Sequence, residues 1–256
     1  MKKTTKEKRT YVKNSIKVSN LNKSYLTGTH VKKQVFQDFN IAFEKEKVHC
    51  VLGVSGCGKS TLLRIIAGLE EYDSGEILFD KSVTKNKDIF LTMVMQENNL
   101  LPWFSVYENI KLALDAVGDK SINDENIDEI LEKHGLLEHK NYYPYELSVG
   151  LKQKVGLLKA IIIKPKILLL DEPFCALDFV SKEAIHDIFL KEFEKEKFTS
   201  ILSTHYIEEA VKLGDYIHLL SKDNRSYKVF KNPLKKPRVN DKNYQEFLEF
   251  IKNEYV

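Results

Sequence analysis

Nine consecutive residues, Gly53-Val54-Ser55-Gly56-Cys57-Gly58-Lys59-Ser60-Thr61, have types and spacing that could do chemistry. They satisfy the pattern G-x-x-x-x-G-K-[ST] at every fixed position. Gly53, Gly56 and Gly58 let the backbone turn tightly and point its N–H groups inward, which makes a cradle for polyanionic phosphate. Lys59 supplies a point charge for the β- and γ-phosphates, and the Ser60 hydroxyl suits Mg²⁺. The flanks agree with this. Val48-His49-Cys50-Val51-Leu52 reads as a buried strand entering the loop, and the run Thr61–Ala67 as a helix leaving it. The positive end of that helix dipole then faces the phosphates. A chance Gly-rich turn has no reason to carry both flanks, so the stretch predicts binding of a nucleoside triphosphate.

Ile167-Leu168-Leu169-Leu170-Asp171-Glu172-Pro173 supplies a second part. An apolar strand that stops at two acids places them at the carboxyl edge of a sheet, where α/β folds bind ligands. Asp171 can hold Mg²⁺ through its water shell, and Glu172 can polarise an attacking water. Without the phosphate loop, the pair reads equally well as an ordinary charged strand end.

These segments need a sheet to bring them together. Short alternating stretches at Ile16–Val18, Val35–Phe43 and Glu76–Phe79 predict an antiparallel sheet beside the loop. Strand Ile89–Met95 then returns to the core. From Val106 to Ile163 the pattern is helical, with Asn109, Ile110, Leu112, Ala113 and Leu114 on one apolar face. Ile127, Ile130, Leu131 and Leu136 form another, opened by Asn123 or Asp124 as cap. Helix Ser181–Lys195 separates strand Ile167–Leu170 from strand Thr199–Ser203, and strand Tyr216–Leu220 closes the series. Apolar strands alternating with helices predict a mainly parallel sheet. Residues 232–242 read as irregular, and Asn243–Tyr255 as a short terminal helix.

The chain has 256 residues, 30% charged and 43% hydrophobic, with a net charge of +3. That charge is too small to argue for nucleic acid. No apolar run approaches the ~20 residues that span a bilayer, and the Lys-rich start lacks the apolar segment of a signal peptide. A cytoplasmic protein is expected, with any membrane role borne by partners. The basic clusters Lys2, Lys3, Lys6, Lys8, Arg9, Lys13 and Lys228, Lys231, Lys235, Lys236, Arg238 read as solvated, frayed tails. Cys50, Cys57 and Cys175 show neither C-x-x-C pairing nor metal-ligand spacing, as expected of reduced thiols. Cys57, beside Lys59 and a helix start, is expected to be the thiolate-prone one, with Cys175 also accessible and Cys50 inert.

Along almost its full length the chain resembles the ATP-binding cassette (ABC) ATPases. Gln96 matches the family's glutamine loop, and Leu147-Ser148-Val149-Gly150-Leu151 sits where the Leu-Ser-Gly-Gly-Gln signature falls. Ala176-Leu177-Asp178 matches the aspartate loop, Ser203-Thr204-His205 ends at the switch histidine, and Tyr25 stands where an aromatic residue stacks on adenine. The resemblance implies an α/β fold with a RecA-like, mainly parallel core, an antiparallel β subdomain and a helical signature subdomain. It places a basic tail at 1–14, the ATPase domain at 15–230 with its helical part at about 97–163, and an extension at 231–256. It implies ATP and Mg²⁺ as ligands. Gly53, Ser55, Gly56, Cys57, Gly58, Lys59, Ser60 and Thr61 hold the phosphates; Ser60, Gln96 and Asp171 hold the metal; Glu172 is the catalytic carboxylate; His205 and Gln96 act beside it. Asp178 of the aspartate loop also counts among the nucleotide-binding residues, and Ser148 and Gly150 would meet the nucleotide of a second copy, so that two identical or different cassettes sandwich two nucleotides.

The run Gln96–Trp103, with Leu101-Pro102-Trp103, looks like the importers of nitrate, sulfonates, taurine and pyrimidine precursors. This implies integral-membrane permease partners, an extracytoplasmic solute-binding protein acting through them, no nucleic acid, and a place on the inner face of the membrane. Trp103 either docks the permease or packs the helical part. Val149 and Leu151 depart from the usual Gly and Gln, and a β-branched Val149 would slow closure of the homodimer, above all if that position needed positive φ. Competing readings are an efflux cassette, a degenerate cassette that only binds ATP, and a soluble ABC ATPase acting outside transport.

Overall fold

The computed structural model describes residues 14–26, 28, 32–80, 91–96, 100–117, 124–221 and 226–255. The expected N-terminal tail, the first residues of strand Ile89–Met95, Glu97–Asn99 and the candidate cap Asn123 lie outside these. Two sheets organise the chain. One is antiparallel, in the order β2 (Lys32–Glu44), β1 (Asn14–Leu26), β4 (Ser74–Phe79). The other has the order β5 (Leu91–Val94), β6 (Ile167–Asp171), β7 (Thr199–Thr204), β3 (Val48–Leu52), β8 (Tyr216–Leu220), β9 (Tyr227–Lys231). Strands β3, β6 and β7 are buried at every position, as a parallel sheet covered on both faces requires.

The helices are α1 (Lys59–Ile66), α2 (Val106–Val117), α3 (Asp124–Lys133), α4 (Val149–Ile162), α5 (Phe179–Glu196), α6 (Ile207–Leu213) and α7 (Lys242–Glu254). Among the described residues, side-chain oxygens set four of their starts, the first being that of α2, where the Ser105 hydroxyl accepts from the Glu108 N–H. Ser148 caps α4, Asp178 caps α5 and Asp241 caps α7, each accepting from a backbone N–H three residues on. One core lies between the parallel sheet and α5, α6 and α7, and includes Phe174, Phe189 and Leu202. A second joins the other sheet face to α1 and the antiparallel sheet through Phe36, Phe39 and Leu62. A third belongs to the helical region, with Ile110, Leu131, Leu136 and Val155 fully buried.

Four expectations need correction. Tyr216–Leu220 does not close the series, because β9 pairs antiparallel with it from Tyr216↔Lys231 to Leu220↔Tyr227. Lys228 and Lys231 therefore lie on a strand, where alternation of charge with Tyr227, Val229 and Phe230 masks the pattern. Lys236 and Arg238 are not frayed either: both pair with Asp215, at 2.9 and 3.0 Å, and the Arg238 side chain is 2% exposed. Leu112 leaves the apolar face of α2 and is exposed.

Beneath the loop, His49 on β3 and His218 on β8 form a buried pair, Nδ1 to Nε2 at 2.9 Å. The Glu44 carbonyl only accepts, so His49 Nε2, 2.9 Å away, carries the proton. His49 Nδ1 then accepts from His218, and both rings are neutral. Burial lowers the pKa of His49 to about 4 and that of His218 as well. A lowered histidine pKa means that the unfolded chain takes up protons first as pH falls through about 6.5, so stability declines from there towards about 4. Urea unfolding should therefore show a lower midpoint at about pH 5 than at about pH 7, by the equivalent of a few kcal/mol. In His49→Gln the dependence on pH should be flatter.

Candidate functional site

The phosphate loop leaves the carboxyl end of β3. Gly56 and Gly58 have φ of +78° and +91°, values that L side chains rarely adopt. A Cβ on Gly58 would also lie 2.8 Å from the Phe36 ring and 2.9 Å from Val35. Glycine here lets the loop close onto the antiparallel sheet as α1 begins. Lys59 is 4% exposed. Its ammonium donates to the carbonyls of Gly53 (2.9 Å) and Val54 (3.2 Å) and lies 3.4 Å from the Glu172 carboxylate.

The neighbouring strand ends supply the rest. Gln96 follows β5, Asp171 ends β6 with Glu172 next, and His205 follows β7. Asp171 is 1% exposed, and its Oδ1 accepts from the hydroxyls of Ser60 and Ser203, both at 2.7 Å. Its Oδ2 is buried without a hydrogen-bond partner, the Arg64 guanidinium standing 4.0 Å away. Glu172 adopts φ +44°, a left-handed turn that costs roughly 1–2 kcal/mol outside glycine. The Ser203 hydroxyl and carbonyl hold the Glu172 N–H at 3.0 and 3.2 Å. This turn swings the carboxylate between Lys59 and His205, whose Nδ1 is 3.2 Å from Glu172 Oε2.

A cleft of about 340 Å³ is lined by Tyr25, Ser55, Gly56, Gly58, Lys59, Ser60, Thr61, Gln96 and Glu172, joined by Lys33 and Val35 of β2. Most of the expected nucleotide-binding residues thus share one wall. The Tyr25 hydroxyl lies 3.4 Å from Thr61 Oγ1, and the Lys23 ammonium sits 4.5 Å from the ring centre. Burial and the Glu70 carboxylate raise the phenol's pKa. Cys57 is not thiolate-prone as expected. It is 2% exposed, packs in the core against Gly53, and burial pushes its thiol up despite Lys59. The loop's turn, invisible in the residue order, sends this side chain inward.

Ser148, Gly150 and Asp178 do not line the cleft. Ser148 and Asp178 cap their helices, and Gly150 packs against α5, where a Cβ would meet Ser181 Oγ at 3.3 Å. The Ser181 N–H and hydroxyl hold the exposed Asp178 carboxyl below its usual pKa. Val149 is the first residue of α4, without positive φ and about half exposed. Its β-branch therefore strains nothing, and only its bulk on an open face remains. Leu151 packs against the helical core, which accounts for an apolar residue there. Trp103 is 65% exposed, its ring edge-on to Phe104, so it is not a core residue of the helical part. Sequence reading missed Ser203 as the group that fixes both acids. Its signal lies in the β6–β7 register, Asp171↔Ser203.

Among the thiols, Cys175 is partly exposed, 3.8 Å from the Gln96 amide, while Cys50 is buried with its pKa raised. Maleimide labelling should accordingly fall on Cys175. Cys175→Ala should lose most of the label, and Cys57→Ala should keep it.

The sequence profile described as ABC transporter matches residues 36–175. An ABC transporter ATP-binding protein of Methanocaldococcus jannaschii is 35% identical over 96% of this chain and 92% of its own length. The aliphatic sulfonates import ATP-binding protein SsuB of Bacillus cereus is 39% identical over 86% of both chains. An ATP-binding cassette solved as a dimer in a post-hydrolysis state with ADP and Pi superposes with a TM-score of 0.73 at 28% identity, over 86% of this chain and 100% of that one. With the loop, the two acids and the glutamine gathered at one sheet edge, these likenesses establish that the chain belongs to the ABC transporter family and has the fold of its ATPase cassettes.

Proposed function

We propose that the chain is the ATP-hydrolysing subunit of an importer, paired with a second cassette and driving a small anionic solute through separate integral-membrane permease subunits. The convergence of Lys59, Ser60, Gln96 and Glu172 on one cleft carries the reading. Import, and a solute such as a sulfonate, follow from relatives named for that activity. No helix among the described residues is long and apolar enough to cross a membrane. Attachment to the inner face of the membrane therefore falls to the permease, with an extracytoplasmic solute-binding protein delivering cargo to it.

Within the cleft, Tyr25 stacks on adenine, while Lys59 and the amides from Ser55 to Thr61 bind the phosphates. Ser60, Gln96 and Asp171 offer the hard oxygen ligands that suit Mg²⁺. The buried, unpartnered Asp171 Oδ2 is an acceptor that a hydrated cation satisfies. When bound, the ion neutralises charge on the β- and γ-phosphate oxygens. Glu172 orients and polarises the attacking water, and His205 steadies that carboxylate and reaches the γ-phosphate. Ser148, Gly150 and Asp178, outside this cleft at or near helix starts, complete the site of the second cassette.

Lys59→Ala should weaken ATP binding, because it removes a charge-assisted contact with the phosphates. Glu172→Gln should keep binding yet lower turnover about a hundredfold or more, since general-base assistance acts only in the transition state. Size-exclusion with ATP should then show an accumulated Glu172→Gln dimer; turnover at the parent rate would remove Glu172 from the role.

The exposed Trp103 is the docking element toward the permease. Trp103→Ala should leave thermal stability and ATP binding near those of the parent and reduce recovery with permease subunits, as loss of an aromatic interface anchor costing over ~1 kcal/mol does. Unchanged recovery in a pull-down from membranes would count against it.

A further inference from the structure

The C-terminal helix ends behind the phosphate loop. Glu254 and Tyr255 share the walls of a cavity of about 290 Å³ with Val54, Leu219, Leu220 and Tyr227. Val54 belongs to the loop, and its carbonyl and that of Gly53 are the two acceptors of the Lys59 ammonium. Tyr255 thus lines the same cavity as Val54, one of the two residues whose carbonyls hold the cleft's central cation. Its ring packs against the core beneath the sheet. Burial, with Cys57 and Glu172 nearby, raises the pKa of its phenol.

The approach of Tyr255 is fixed at several points. Tyr244, Leu248 and Ile251 bury one face of α7. The Tyr244 hydroxyl donates to the Glu208 carbonyl at 3.1 Å, Lys228 pairs with Glu254 at 2.6 Å, and the Tyr255 N–H closes the helix onto Ile251 at 3.0 Å. All of α7 lies outside the residues matched by the family profile. Nothing in the phosphate-binding pattern itself supplies a brace behind Gly53-Val54, whose consecutive carbonyls both accept from the lysine.

We propose that Tyr255 is a positioning residue for nucleotide binding, bracing Gly53-Val54 from behind so that their carbonyls keep Lys59 aimed into the cleft. The inference rests on the reading of that cleft as an ATP site. It acts through the loop and touches no reacting atom, so it governs affinity rather than the chemical step. By linkage the effect is reciprocal: nucleotide in the cleft stabilises the end of α7 by as much as the end of α7 favours nucleotide.

The test uses the full chain with ATP as probe, comparing the parent with Tyr255→Ala and Tyr255→Phe. Tyr255→Ala should raise the Kd and KM for ATP about fivefold or more, with kcat within about twofold. Tyr255→Phe, which keeps the ring, should return both near the parent values. Hydrogen exchange at residues 248–255 should slow when ATP is added to the parent and respond less in Tyr255→Ala. Unchanged Kd and KM in Tyr255→Ala would overturn the proposal, as would a loss confined to kcat or a Tyr255→Phe as weak as Tyr255→Ala. Failure of the parent itself to bind ATP would instead overturn the reading of the cleft. Should Tyr255→Ala fold poorly, the exchange response of the parent decides: no slowing at residues 248–255 overturns the proposal.

Discussion

The carboxylate of Asp171 is the constraint on which the site is built. It is withdrawn almost entirely from water, where an oxygen without a partner is costly, and only one of its two oxygens finds hydrogen-bond partners. Two hydroxyls meet one oxygen: Ser60 from the start of α1 and Ser203 from the neighbouring strand β7. Three separate segments are therefore tied at one atom. The phosphate loop cannot shift relative to β6 without breaking the first bond, nor β6 relative to β7 without breaking the second. Charge-assisted bonds of this kind are each worth roughly 1.5–3 kcal/mol, enough to hold the loop in register where the chain's own conformational freedom would blur it.

The same hydroxyl of Ser203 reaches the Glu172 N–H, so the two acids are fixed by one side chain but point to different tasks. Asp171 stays sealed beneath the loop, while the left-handed turn at Glu172 lifts its carboxylate to the surface of the cleft. Backbone strain at such a position persists where surrounding bonds over-determine it, and here the double contact from Ser203 does so. Ser148 and Asp178 lie at two other helix starts, where their side chains cap α4 and α5. Each chain thus carries a cleft and, elsewhere, helix-start groups that do not line that cleft.

What was legible in the sequence was local. Gly-rich turn chemistry, a lysine at fixed spacing and an apolar run ending in acid announce themselves within a few residues, so the loop, β3, β6 and α5 stand where the pattern puts them. Features set by register or long-range pairing were not legible. Ser203 becomes important only when β7 lies beside β6. Strand β9 hides because its lysines sit on an exposed edge, where charge discourages further pairing. Cys57 looked electropositive and open from its neighbours, yet the turn of the loop decides which way a side chain faces. Arg238 and Lys236 read as a basic tail because their partner, Asp215, is over twenty positions away.

That last pairing has a consequence for how the protein can be cut and recombined. Asp215 also accepts the N–H of Val48 at the entry of β3, so the segment after β9 is fastened to the strand that leads into the loop. Removing only one partner of a buried ion pair commonly costs about 3–5 kcal/mol, a large share of a domain's stability. A chimera that replaced everything after Lys231 with a foreign tail would leave Asp215 facing the core without its two cations. The graft boundary that respects the chemistry falls beyond Arg238, even though the family profile ends far earlier. The segment through Arg238 is, in this chain, tied into the folded domain by Asp215.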